Sequence, residues 1–422
     1  MKQIRNSKPR IGRSLSGSAR VYTTLGWFAG FLGCYLLAPV SAGADSPAAP
    51  PVIELSGTPY ELGRAHGEQL SEPARACVRS LLGYFRGYIK VPFVGRWVAD
   101  WWLSRSWKPA RAYIAPEILE ELRGLSESSG IAYRDLCLMH AIADRTYSCA
   151  NFAAWGSMTR DGRLIHVRNL DWNIRAGLQR YATVFVVRPA GKHAFINVGW
   201  AGFIGILSGV NDATLSIGQV GAETTDATFG GEPMAFLIRR ALEQADGVEQ
   251  AAEIIQSAHR TVGINYILGH ASSRQGLAIE TTHRYARIFS ADDAAERQVD
   301  YARPMRDAVF RADTAIDPVI RECQLASQGN PSSPGLEPPG GSAYRVRYLK
   351  QAEGLKEAAG KLDVESAKAI AGSIAPDSNV QSVVFAWPEL WVANAQGLTP
   401  AAHGVYHSFD AAQLLNGAGK EN

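Results

Sequence analysis

The stretch that decides the fold opens at Ser148-Cys149-Ala150-Asn151-Phe152, turns at Thr159-Arg160-Asp161-Gly162, and returns through Val167-Arg168-Asn169-Leu170-Asp171-Trp172. Before it, from Pro59 to about Asp144, apolar residues fall at helical spacing, as with Cys77, Leu81, Leu82 and Phe85. After it the period changes. Phe152–Met158, Leu164–Asn169, Thr183–Val187, Ala194–Val198, Ile204–Val210 and Leu215–Val220 read as strands separated by turn residues. Gly162 can take the left-handed position of a hairpin turn, so the two segments flanking it pair antiparallel. Counting back from the turn sets Asp171 opposite Cys149 to within about two or three residues, with Arg168 close by. Residues three apart on a regular strand face opposite ways, so Asp171 joins the other two only if the strand ends or twists before it.

That convergence has a chemical use. A free cysteine, with a pKa of about 8.5, is mostly protonated at neutral pH, and a fixed cation such as Arg168 favours the thiolate. If the chain is cut after Ser148, the new α-amine of Cys149, with a pKa of about 7.7–8.0, can act as general base, and Asp171 is placed to orient it. The plain alternative is a packed, inert cysteine beside two surface charges. The location of Cys149, where helix gives way to sheet, favours the nucleophile.

Further along, Pro233 and Asp246 mark the starts of two helices, one ending near Gln244 and one over Val248–His259. Strands follow at Asn265–His270, Leu277–Thr281 and Tyr285–Phe289. A Pro/Gly-rich loop spans Gln328–Gly341, then helices at Ala343–Ala359 and Val364–Ile374 and strands at Ser382–Trp387 and Leu390–Ala393. Strand groups alternating with helix pairs predict an α+β fold, with antiparallel sheets carrying helices on their outer faces.

The segment Cys149–Trp172 resembles the start of the catalytic chain in choloylglycine hydrolases, acid ceramidases and the penicillin acyltransferase family, all N-terminal nucleophile hydrolases. The wider chain resembles the penicillin acyltransferase group most, through Gly57–Gly63 with His66-Gly67, Gly202–Leu215, Gly231-Glu232-Pro233 with Arg239, Asn265-Tyr266, and Trp391–Phe409. The resemblance implies a four-layer αββα sandwich and self-cleavage between Ser148 and Cys149 into associated subunits, residues 45–148 and 149–422. It also implies a metal-free and cofactor-free amidohydrolase or acyltransferase that cleaves an N-acyl amide through a thioester at Cys149, supported by Arg168 and Asp171. Three weaker matches concern the oxyanion or substrate. Asn211 reads either as an oxyanion donor or as a turn residue in Gly209-Val210-Asn211-Asp212. Asp313 stands where the family carries Asn, and an ionised carboxylate cannot donate to an oxyanion. Arg345, with Arg347, matches a late arginine-bearing stretch, or else is solvated helix charge. The departure at Asp313 also motivates the rival reading, an inactive binding protein on the same fold.

Residues 1–44 read as an export signal: six Lys/Arg in the first 20 residues, the apolar run Leu25–Val40, and the small-x-small site Ala42-Gly43-Ala44. The run is shorter than the roughly 20 apolar residues of a spanning helix, so a cleaved leader and a secreted or periplasmic protein are expected rather than a membrane anchor. The net charge of +3 is owed to that leader, and nothing resembles a basic footprint for nucleic acid. H-E-x-x-H, G-x-S-x-G, G-x-G-x-x-G and C-x-x-C motifs are absent, which argues against zinc, α/β-hydrolase, dinucleotide and thioredoxin chemistry. Of the four cysteines beyond the leader, an oxidising compartment permits one disulfide. His66 and His140 read as packing or polar-contact residues. The aromatic stretch Val91–Tyr113, with Trp97, Trp101, Trp102 and Trp107 among Arg96, Arg105 and Lys108, reads either as core or as a lipid interface at the mouth of an acyl channel.

Overall fold

The computed structural model describes residues 48–87, 94–144, 148–327 and 342–417. The expected leader and the loop 328–341 lie outside them. Strand β1 (Val52–Gly57) comes first, ahead of the helical run expected from Pro59, and pairs parallel with a strand of the later sheet. Helix α1 (Pro59–Gly87) bends at Leu70, whose φ of −127° is non-helical. Pro73 is the cause, because it lacks an N–H and its ring crowds the preceding turn. Helices α2 (Val94–Ala110), α3 (Pro116–Ser129) and α4 (Tyr133–His140) complete the N-terminal segment. The helices α1 and α3 approach so closely that a Cβ on Gly63 would lie 1.9 Å from the Glu121 carbonyl oxygen.

The switch to sheet falls where the sequence places it. Strands β2 (Ser148–Ala154) and β3 (Ile165–Asp171) form the predicted hairpin, followed by β4 (Ala182–Pro189), β5 (Phe195–Trp200), β6 (Ser208–Asn211) and β7 (Leu215–Gly221). Residues 201–207, read in part as strand from the sequence, form a loop. Gly202 has φ +87°, and the Gly202 and Ile204 N–H groups bond histidine side chains instead of a neighbouring strand. Helices α5 (Met234–Gln244) and α6 (Val248–Ser257) lead to β8 (Ile264–His270), β9 (Gln275–Thr281) and β10 (Ala286–Phe289). Gly247, not Asp246, sits at the N-cap of α6, and the Asp246 carboxylate turns to His193.

Strand β11 (Ala308–Arg311) and helix α7 (Pro318–Ser327) come next, with no sequence reading behind them. Helices α8 (Ser342–Glu357) and α9 (Val364–Ser373) and strands β12 (Asn379–Ala386) and β13 (Glu389–Asn394) follow as expected. Strand β14 (His407–Asp410) and helix α10 (Ala411–Asn416) close the chain.

An eight-stranded sheet runs β1-β4-β5-β6-β7-β8-β9-β10, and a six-stranded sheet runs β11-β2-β3-β12-β13-β14, antiparallel except for the β1–β4 pair. The sheets stack face to face, with α5 and α6 on the outer face of the first and α8 and α9 on the outer face of the second. This is the αββα order, in an α+β protein. Alternation along β8 shows why it forms. Ile264, Tyr266 and Leu268 enter the core that includes α5 and α6, whereas Ile267 enters the one holding β2 and β3.

Residues 45–422 form one compact unit, so the N-terminal helices share a core with the sheets. A buried ion network crosses between them. Arg239 on α5 bonds Glu121 on α3 at 2.9 Å and Glu243 at 2.7 Å, and all three side chains are almost fully enclosed. All four cysteines of the described residues are free thiols. Among the described residues no helix is long and apolar enough to cross a membrane.

Candidate active site

The hairpin register pairs Ser148 with Asp171 and Cys149 with Leu170, one residue from direct opposition of Cys149 and Asp171. Cross-strand partners share a face. Cys149, Asn151 and Arg168 therefore project between the two sheets, and Asn169 and Asp171 project outward, toward α8 and α9. The alternation anticipated from the sequence holds to the end of the strand, and it splits the expected triad across the sheet.

On the inner side, Arg168 Nη2 donates to Cys149 Sγ at 3.3 Å and Gln219 Nε2 lies 3.8 Å from the same sulfur. Room for the Arg168 stem comes from Gly218 on β7, where a Cβ would sit 2.9 Å from Arg168 Cγ and 2.4 Å from Asn151 Nδ2. Both Arg168 Nη1 and Gln219 Oε1 are buried with no hydrogen-bond partner. Burial pushes the Cys149 thiol up to about 11, with Arg168 pulling it down and the Asp171 and Asp313 charges opposing Arg168. Burial likewise pulls the Arg168 guanidinium below its usual range.

On the outer side, Asp171 accepts from Asn379 Nδ2 at 2.9 Å and is ion-paired with Arg347 Nη2. Burial raises its carboxyl pKa, and Arg347 is the largest opposing influence. The Arg347 Nη1 donates to the Cys149 carbonyl oxygen at 3.1 Å and lies 3.4 Å from Asp313 Oδ2. Against the cost of burial, the charges of Asp171 and Asp313 raise its pKa. Asp313 in turn accepts the backbone N–H of Cys149 on Oδ1 at 2.8 Å. The loop 312–317 that carries Asp313 is fixed by buried side chains. Gln324 donates to the Asp313 carbonyl at 2.9 Å, and Glu280 accepts from Ile316 and Asp317.

Several sequence expectations change. The carboxylate that meets the Cys149 nitrogen is Asp313, not Asp171: Asp313 follows β11, which flanks β2 on the side opposite β3, whereas Asp171 is engaged by Arg347 and Asn379. As a carboxylate facing an N–H, Asp313 is an acceptor and not an oxyanion donor. Asn211 is spent on the fold. Its Nδ2 donates to Leu242 and Ala245 carbonyls, and its Oδ1 accepts from Leu215 N, which is the turn reading. Arg345 is replaced at the site by Arg347. Two positions apart on a helix they point about 200° apart, and Arg345 instead lies over the Tyr301 ring at 4.7 Å. Gln219 was not foreseen, since a lone Gln in a buried strand carries no motif. Ser148 is the first residue of β2, immediately before Cys149. Among the described residues no cluster of His, Cys, Asp and Glu is arranged to hold a metal ion.

A mostly apolar, open pocket lies next to the inner side of Cys149. Leu170, the cross-strand partner of Cys149, and Gln219 form its end nearest the sulfur. The rest is apolar: Leu81 on α1, Met139 on α4, Ile142 and Ala143 just after α4, Trp172 and Leu178 beyond β3, Trp200 at the end of β5, Phe203 and Leu207 from the loop 201–207, and Met234.

Residues 157–297 match the family model described as acyl-coenzyme A:6-aminopenicillanic acid acyl-transferase. That match covers about a third of the chain, which over those residues is similar to the penicillin acyltransferase family. It is similar to protein dcd1B of Dictyostelium discoideum, 26% identical over 257 residues, spanning 56% of this chain and 51% of dcd1B. It is also similar to the N-acylethanolamine-hydrolyzing acid amidase of Rattus norvegicus, 21% identical over 288 residues, or 65% of this chain and 73% of that protein. Among solved structures, the Caenorhabditis elegans ortholog of that amidase aligns with a TM-score of 0.42 at 17% identity, covering 56% of this chain and 92% of that one. The match to dcd1B thus spans about half of that relative's length.

Proposed function

We propose that the protein is a self-processed cysteine amidohydrolase or acyltransferase that acts on an N-acyl amide with an apolar acyl chain. The observation that carries this reading is the placement of one residue, Cys149. Its sulfur lies beside Arg168 and beside Gln219, a residue of the apolar pocket wall, and its backbone nitrogen is held by Asp313.

Cleavage of the Ser148–Cys149 bond frees the α-amine, which Asp313 orients. The amine takes the thiol proton, and the sulfur attacks the acyl carbon of the substrate amide. The tetrahedral oxyanion draws on Gln219 Nε2 and backbone N–H groups. Collapse breaks the C–N bond, the leaving amine takes the proton from the α-ammonium, and a thioester remains. Water, or an acceptor amine, then attacks the thioester with the α-amine as base, releases the acyl product and restores the thiol. Arg347 neutralises Asp171 and steadies the Cys149 carbonyl and Asp313, so it is a positioning residue. The reading also takes in export through the N-terminal leader and association of the two cut segments through their shared core.

The pocket opens among side chains linked by aromatic stacking to α2. Trp172 stacks on Phe85 at 6.0 Å and Phe85 on Trp102 at 6.3 Å. On the far face of α2, Val94, Trp97, Trp101, Arg105 and Lys108 form one exposed stripe. A lipid surface met by this stripe fits exposed tryptophans among cations.

Intact-mass measurement of the expressed protein tests the reading. Two fragments meeting at Ser148/Cys149, with Cys149→Ala remaining whole and inactive on N-acyl amides, are expected. A wild-type chain cut only at the leader and inert toward a panel of N-acyl amides would return it to the binding-protein alternative.

A further inference from the structure

The loop 201–207 gives the pocket Phe203 and Leu207 and follows directly on Trp200, yet its backbone is held from the N-terminal helices. His66, on α1, accepts the Gly202 N–H on Nε2 at 2.9 Å. His140, on α4, accepts the Ile204 N–H on Nε2 at 2.9 Å, and its Nδ1 lies 2.8 Å from the Leu136 carbonyl, which places the ring proton on Nδ1. The ring of His140 also stacks on Phe203, with centroids 4.6 Å apart and planes 12° from parallel. The Ile204 carbonyl accepts from Arg239, itself paired with Glu121 on α3. A loop free of these acceptors would carry two buried, unpaired N–H groups, a cost that selects the observed conformation.

We propose that His66 and His140 are positioning residues that set the depth of the acyl pocket, so that the N-terminal helices, rather than the sheet bearing Cys149, govern which acyl chain length fits. The idea rests on reading the pocket as an acyl site, and for that reason its test measures binding and not turnover.

Calorimetric titration of the full chain with dodecanoate and with butanoate provides it. Wild type is expected to bind dodecanoate the more tightly. His140→Leu should weaken dodecanoate about tenfold and butanoate less than about twofold, because only the longer chain reaches Phe203. His140→Gln, which keeps an acceptor but loses the stacked ring, should weaken dodecanoate about threefold. A folded His140→Leu protein with an unchanged ratio of the two affinities overturns the proposal. So does wild type that fails to bind dodecanoate. Should His140→Leu not fold, unchanged dodecanoate affinity in His140→Gln overturns it, and selective weakening upholds it. Chain-length-dependent binding without any turnover of N-acyl amides would sink the enzymatic reading and leave this one intact.

Discussion

The backbone nitrogen of Cys149 donates to the carboxylate of Asp313 across 2.8 Å, a contact between strand β2 and the loop after β11, 164 residues apart in sequence. If that nitrogen becomes an amine, a carboxylate at this distance favours its protonated form and so weakens it as a base at low pH. Arg347 beside Asp313 moderates the effect.

Asp313→Asn removes the charge while keeping a group able to accept the N–H. The amine should then hold its proton less tightly, so the acid limb of the kcat/KM profile moves to lower pH. A shift of about one unit is the expected size. A pH–rate profile of the variant that overlays the wild type would show that the carboxylate does not govern the base.

Arg168 is the cation in contact with the Cys149 sulfur, at 3.3 Å. Burial, joined by the Asp171 and Asp313 charges, drives the thiol upward, to about 11 with Arg168 in place, so loss of Arg168 should raise the pKa further. Arg168→Met is expected to move the pH midpoint of Cys149 alkylation by iodoacetamide upward and to lower kcat/KM by about a hundredfold. Arg168→Lys, with charge but no planar fork, should fall between. An alkylation profile unmoved in Arg168→Met would remove Arg168 from the activation of the thiol.

The hairpin from Cys149 to Asp171 was legible because a glycine turn and two apolar segments fix register locally, to within one residue. Asp313 and Arg347 belong to a different order of information. Nothing near Asp313 signals a partner 164 residues away, and the choice between Arg345 and Arg347 depends on which face α8 turns to the sheet. Strand β1 was missed for a related reason: Val52–Gly57 is short, precedes a helical run, and pairs only with β4, more than a hundred residues later. The loop 201–207 misled because its apolar residues line a pocket and so imitate a buried strand. Burial was readable, but its partner was not.

Trp97 and Trp101 are 80% and 53% exposed, whereas Trp102 stacks inward on Phe85 and Trp107 is buried. The aromatic stretch therefore divides into a core half and a surface half. Trp97→Ala with Trp101→Ala should weaken binding to anionic phosphatidylglycerol vesicles by about tenfold in a sedimentation assay, with little change in melting temperature. Equal binding by the double variant would leave the stripe without a lipid role.

Acid should destabilise this protein steeply, and the sign follows from three buried histidines. Burial holds His66 and His166 at about 3 and His140 at about 4, against 6.5 for the free side chain. Between pH 6.5 and 4 the unfolded chain takes up protons that the folded chain refuses, so unfolding is favoured as pH falls. Each histidine contributes about 1.4 kcal/mol per pH unit in that window, less where other groups titrate in compensation. Protonation would also turn the acceptors for Gly202 and Ile204 into donors facing donors. Urea midpoints measured from pH 7.5 down to pH 4 should fall with a slope that His140→Gln reduces by about a third of the histidine contribution. A midpoint flat across that range would mean that these rings are protonated in the folded state, and that the loop 201–207 is not held as described.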